Sequence, residues 1–106
     1  MTTNDPTLDR TLHAVADSTR RRILEVLRQE GARRTSTVKH AHGKCAGLCA
    51  GDIEQRVKLS QPTISHHMAV LTHAGLVEAV KQGQWRWYRR NEKAIRQLIK
   101  GLRSRI

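Results

Sequence analysis

The stretch from Ile53 to Gly75 constrains this chain most, because its apolar residues fall on a helical period twice, with a break between. Ile53 and Val57 stand one turn apart; the period fails at Lys58-Leu59 and restarts after Ser60 with Ile64, Met68 and Leu71, up to Gly75. Apolar residues at i, i+4 and i+7 mark an amphipathic helix, so two short helices joined by a tight turn are predicted. Ser60 suits the N-cap of the second helix, its hydroxyl within reach of the Thr63 N–H. Pro62 lies in the first turn, where its missing N–H removes no helical bond. Gly75 suits the left-handed position at the helix exit.

Beyond Gly75 the period changes. Val77 to Gln82 and Gln84 to Arg90 alternate in the manner of two short strands around Gly83, with Val77, Ala79 and the tryptophans Trp85 and Trp87 expected on one face. On either side of this unit the period is helical again. Leu8, Leu12, Val15 and Ala16 predict a first helix over 7–16, and Ile23, Leu24, Val26 and Leu27 a second over 19–30, with Asp17 or Ser18 as its cap and Gly31 as its stop. Ile95, Leu98, Ile99 and Leu102 predict a last helix over 92–104. Residues 31–49, rich in Gly, His and basic side chains, read as a long connection, either a solvated insertion or a segment with a sensory role. The expected fold is thus mainly α with a small β-hairpin, in the order ααααββα, and residues 1–106 form one domain. The leucine-rich faces of the first and last helices pack inside the monomer or, as expected here, pair with a second copy.

The second helix of the central pair offers a readable surface. Stepping about 100° per residue places Ile64, Met68 and Leu71 within roughly 40° of one another as a buried face. Pro62, His66, Ala69 and His73 lie opposite, flanked by Ser65, and His67 falls at the margin, where packing is expected. Small polar residues near a helix N-terminus suit the reading of base edges, and Gln61 is long enough for a bidentate pair with adenine. The hairpin adds Lys81, Gln82, Gln84, Arg86, Arg89 and Arg90, suited to phosphate or a minor groove, although an exposed hairpin in so basic a chain would carry cations in any case. The balance of 20 Lys and Arg against 9 Asp and Glu, a formal charge of +11, points to phosphate-rich partners.

Composition also excludes. At 106 residues there is no room for a substrate domain beside a cofactor domain, and no Gly-rich phosphate loop, serine elbow or HExxH motif is present, so an enzyme is not expected. The beginning, MTTNDPTLDR, lacks a basic and then apolar leader, and no apolar run is long enough to span a bilayer; a cytoplasmic location is expected. The three aromatic residues all fall between Trp85 and Tyr88, which gives no spread of stacking platforms for single strands and leaves an aliphatic core.

Taken in order, ADSTRRRILEVL, LSQPTISHHMAVLTHAGLV and KQGQWRWYRR resemble the ArsR/SmtB family of bacterial winged-helix regulators over residues 8–102. The resemblance implies a homodimer, built on the first and last helices, that binds a palindromic operator in double-stranded DNA and leaves it when an inducer binds. It implies that Gln61, Pro62, Ser65 and His66 approach the major groove. With Thr63 beside them and Gln84 and Arg86 on the wing, these are the expected DNA-binding residues. An architectural protein coating DNA without sequence preference, and a winged helix that mainly docks another protein, are the competing readings.

The family's sensory sites match this chain poorly. Residues 91–106 contain no His or Cys and only Glu92 as an acid, so the site on the last helix is absent. Where the arsenic sensors have C-x-C-D-L, this chain has Cys49-Ala50-Gly51-Asp52-Ile53. In its place stand His40, His42, Cys45 and Cys49, four ligands within ten residues that could close around Zn(II), Ni(II) or Cd(II), or offer two thiolates to As(III). A thiol redox switch through Cys45 and Cys49, or no sensory role, are the alternatives. Arg33, Arg34, Lys39 and Lys44 are expected to lower the thiol pKa values. No cofactor is expected to be required.

Overall fold

Two helices, α1 (Pro6–Val15) and α2 (Ser18–Arg33), open the structure, a computed structural model that describes residues 6–33, 47–83 and 85–106. The elbow between them is fixed by Asp17. Its Oδ1 accepts from the backbone N–H of Thr19 at 2.8 Å and of Arg20 at 3.1 Å, satisfying two donors that a helix start leaves orphaned. Those backbone bonds, that of Arg20 foremost, hold the Asp17 carboxyl below the usual carboxylate range. Helix α2 does not stop at Gly31 as its sequence suggests but runs to Arg33. Its last turn has support from outside: buried Glu30 pairs with Arg56 Nη2 at 3.0 Å, and tertiary contact overrides the modest helix penalty of one glycine.

The expected connection over 31–49 therefore begins inside a helix, and it also ends inside a strand. Strand β1 (Leu48–Cys49) precedes α3 (Ala50–Val57) and α4 (Gln61–His73); β2 (Val77–Gln82), β3 (Trp85–Arg90) and α5 (Glu92–Arg105) follow. The hairpin is thus the larger part of a three-stranded antiparallel sheet ordered β1-β3-β2, and the element order is ααβααββα. Gly47 makes the entry to β1 possible. Its φ is +137°, and a Cβ there would collide with the Tyr88 carbonyl.

The register also corrects the expected strand faces. Val77 pairs with Arg90 and Ala79 with Tyr88, while Trp87 pairs with Val80 and Trp85 with Gln82. Side chains alternate strictly along a strand, so Val77 and Ala79 share their face with Tyr88 and not with Trp87; Ala79 is exposed. Trp87 is buried on the other face, beside the short strand β1 that the sequence did not announce.

The main core cluster is aliphatic apart from Met68 and Tyr88, and Trp87 is buried outside it. Ile23, Leu27, Leu48, Ile53, Ile64, Met68, Leu71, Leu76 and Leu98 meet in one cluster, with Leu8, Leu12, Ile95 and Leu102 packed half-buried against it. Each fully buried aliphatic side chain contributes about 1.5–3 kcal/mol. Helix α1 lies against α5, and both keep apolar side chains toward the surface, Ile99 being 51% exposed.

Candidate nucleic-acid interface

Helix α4 is anchored by one face and open on the other. Ile64, Met68 and Leu71 are buried, whereas Gln61, Pro62, Thr63, Ser65, His66, Ala69 and His73 are exposed. This is the division that the 100° step predicts. His67 lies half-buried at the margin. Lys58, in the left-handed conformation at φ 61°, closes α3 by donating its N–H to Glu54 O at 2.7 Å, and so turns the chain between the two helices.

The start of α4 differs from expectation in one bond. Ser60 holds the N-cap position, but its Oγ lies 3.0 Å from the Thr63 hydroxyl and makes no side-chain capping bond to a backbone N–H. The helix therefore presents backbone donors outward at its positive end, where anions are favoured. At the next residue, Gln61 Nε2 donates across one turn to Ser65 Oγ at 2.7 Å. A carboxamide has two N–H bonds and one carbonyl oxygen, so the Gln61–Ser65 bond steadies the side chain and leaves it a donor and an acceptor for a base edge.

On the wing, Lys81 and Arg86 are exposed and directly opposed across the β2–β3 ladder. Like charges in this position destabilise a sheet; a polyanion would relieve them. The other wing cations are engaged within the molecule. Arg89 Nε lies 2.8 Å from Glu78 Oε2, its cross-strand neighbour, and Arg90 pairs with Glu92 at 3.1 Å. The strand register gives the physical ground for separating exposed Arg86 from Arg89, which is paired with Glu78. Gln84 lies outside the described residues.

Of the candidate metal ligands, His40, His42 and Cys45 lie outside the described residues. Cys49 is a free thiol just before α3, donating from Sγ to Asp52 Oδ2 at 3.1 Å. Burial, with the Asp52 carboxylate beside it, pushes the thiol up from its usual value, the opposite of the expected lowering; the thiol is thus held protonated at neutral pH. Among the described residues no group of three or more His, Cys, Asp or Glu side chains is placed to hold a metal ion.

The central segment, residues 46–79, matches the model of the bacterial regulatory protein, arsR family. An arsenical resistance operon repressor of Staphylococcus aureus is 33% identical over 91 residues, covering 86% of this chain and 72% of its own. The chain belongs to the ArsR family. A second relative, an HTH-type transcriptional regulator of Methanocaldococcus jannaschii, is 33% identical over 87 residues, 82% of this chain and 81% of that one. The same fold is found in a homodimeric winged helix-turn-helix DNA-binding domain of Mycobacterium bovis, solved in solution, with a TM-score of 0.66 at 21% identity, over 94% of this chain and 85% of that one. As an ArsR-family member this protein is a DNA-binding transcriptional regulator and not an enzyme. Among its described residues no helix is long and apolar enough to cross a membrane.

Proposed function

We propose that this ArsR-family protein acts as a homodimeric repressor that reads its operator with the outer face of α4. Gln61, Pro62, Thr63, Ser65 and His66 form the base-reading surface; Arg86 and Gln84 hold the flanking strand from the wing. The observation that carries the reading is the exposure of the His66 flank on a helix whose opposite face, Ile64, Met68 and Leu71, is buried. A helix so mounted fits the major groove, which is about 12 Å wide. Duplex from the region upstream of this protein's own coding sequence should bind at least about 10³-fold more tightly than scrambled duplex at equal salt. Equal affinities would instead select an architectural, charge-driven binder.

The pairing surface in this reading is the α1–α5 layer. Ile99 stands half-exposed beside half-buried Leu102 and Ile95, and the Mycobacterium bovis domain of the same fold is a homodimer. Ile99→Glu would place a charge in that seam and should convert the protein to monomer by sedimentation; retained dimer would move the interface elsewhere.

The signal in this reading is a metal, metalloid or thiol-reactive inducer received at Cys49 with His40, His42 and Cys45, in the 31–49 segment. Supporting it are the soft thiol of Cys49, its position at the end of β1 just before the helix pair, and the arsenical resistance operon repressor among the relatives. Titration with Zn(II), Ni(II), Cd(II), As(III) and an oxidant, with and without promoter duplex, identifies the signal as the one whose binding is coupled to DNA release.

A further inference from the structure

The exposed face of α4 does not end at the helix. Beside it runs an open groove of about 520 Å³, walled by Arg10 and His13 from α1 and by His66, Ala69, Val70 and His73 from α4. Arg10 and His13 stand three residues apart on α1, the spacing that brings two side chains to one helix face, and both are exposed. No carboxylate lines the groove among the described residues. Its polar chemistry is therefore one guanidinium and three imidazoles, which suits an anion.

We infer that this groove receives a phosphate strand of bound duplex, with Arg10 and His13 as backbone contacts supplied by α1; the inference rests on the reading of α4 as the helix that enters DNA. A helix in a major groove has a phosphate ridge on each side of it. The wing supplies cations from β2 and β3. None of the groove's described lining residues belongs to the wing, so the groove is a separate source of positive charge bordering the same reading face. His66 and His73 belong both to that face and to the groove, so a duplex seated on the one lies against the other. The rival occupant is a second copy of the chain. A twofold contact sets a patch against its own copy, and here that would bring two Arg10 side chains into one interface with no acid in the described lining to offset them.

The test is the salt dependence of binding to two duplexes of equal length, the upstream sequence and its scramble. Each phosphate contact accounts for about 0.9 of the log–log slope, so Arg10→Ala should lower the slope by about 0.9 per bound subunit on both duplexes and leave their affinity ratio unchanged. Arg10→Lys should restore the slope, since a phosphate needs the charge and not the fork. Arg10→Ala combined with His13→Ala should keep the wild-type melting temperature within a few degrees and the wild-type sedimentation coefficient. An unchanged slope in Arg10→Ala overturns the inference. Dissociation of the double variant into monomers overturns it too, by making the groove a contact between copies. Failure of the reading of α4 looks different: the wild type would bind both duplexes equally, while the slope lost with Arg10 would still be measured.

Discussion

Arg20 Nη1 lies 3.2 Å from His67 Nδ1, joining the first turn of α2 to the middle of α4. A guanidinium can only donate, so Nδ1 supplies the lone pair and the ring is neutral with its proton on Nε2. The same arginine, 8% exposed, donates from Nε to Ala14 O at 2.6 Å and from Nη2 to His13 O at 3.3 Å. One buried side chain thus caps the end of α1 and pins α4 to the elbow that Asp17 makes.

That bond sets a pH dependence. Burial lowers the His67 pKa from its usual 6.5, with Arg20 and His66 adding to the lowering and Asp17 opposing it. A depressed folded-state pKa means that the unfolded chain binds the proton more readily, so the stabilisation is complete above about pH 6.5 and is lost as pH falls through the lower folded value. His67→Gln keeps an acceptor for Arg20 and does not titrate. Urea unfolding between pH 7 and 5 should show wild type losing stability relative to His67→Gln; parallel curves would refute the assignment.

For base reading, His66→Ala should weaken binding to the upstream duplex by about 1–3 kcal/mol and leave the scrambled duplex unaffected. A uniform loss on both would make His66 a phosphate contact.

At the wing, function and stability should move in opposite directions. Arg86→Glu turns the Lys81–Arg86 repulsion into a cross-strand ion pair and should stabilise the DNA-free protein by about 0.2–1 kcal/mol, while weakening every duplex and flattening the salt dependence. If melting temperature and DNA affinity fall together, the opposed cations are not what strains the wing tip.

How much of the molecule is legible in its sequence depends on how local the signal is. The buried and exposed faces of α4 follow from three apolar residues at helical spacing, and the turn at Lys58-Leu59 from the failure of that spacing. Ser60 is legible as the cap position, yet its bond to Thr63 is not, because two hydroxyls compete for the same turn. The sheet eludes a local reading at both ends of one relationship. Leu48-Cys49 is too short to show a period, and its partner lies some 40 residues away, so the third strand and the burial of Trp87 depend on a long-range pairing that no window contains. Arg20 reads as one of three consecutive arginines; only the meeting of α1, α2 and α4 singles it out.

Gly47 tests that long-range pairing. Gly47→Ala would combine a left-sided backbone with a Cβ against the Tyr88 carbonyl, and should cost about 1–3 kcal/mol and deprotect the amides of residues 48 and 49 in hydrogen exchange. Protection unchanged from wild type would show that β1 adapts.

Cys49 should be sluggish toward alkylating agents at neutral pH, because burial and the Asp52 carboxylate disfavour its thiolate. Asp52→Asn removes the negative charge and should speed alkylation. An equal rate in both proteins would leave burial as the sole cause.

The pairing of Cys49 with Trp87, an indole 3% exposed in the folded chain, gives the protein an optical reporter of its own. With Trp85 replaced by Phe, the emission of one shielded fluorophore would register any ion or oxidant arriving at the neighbouring sulfur, and an inducer could be timed against DNA departure without attaching a dye.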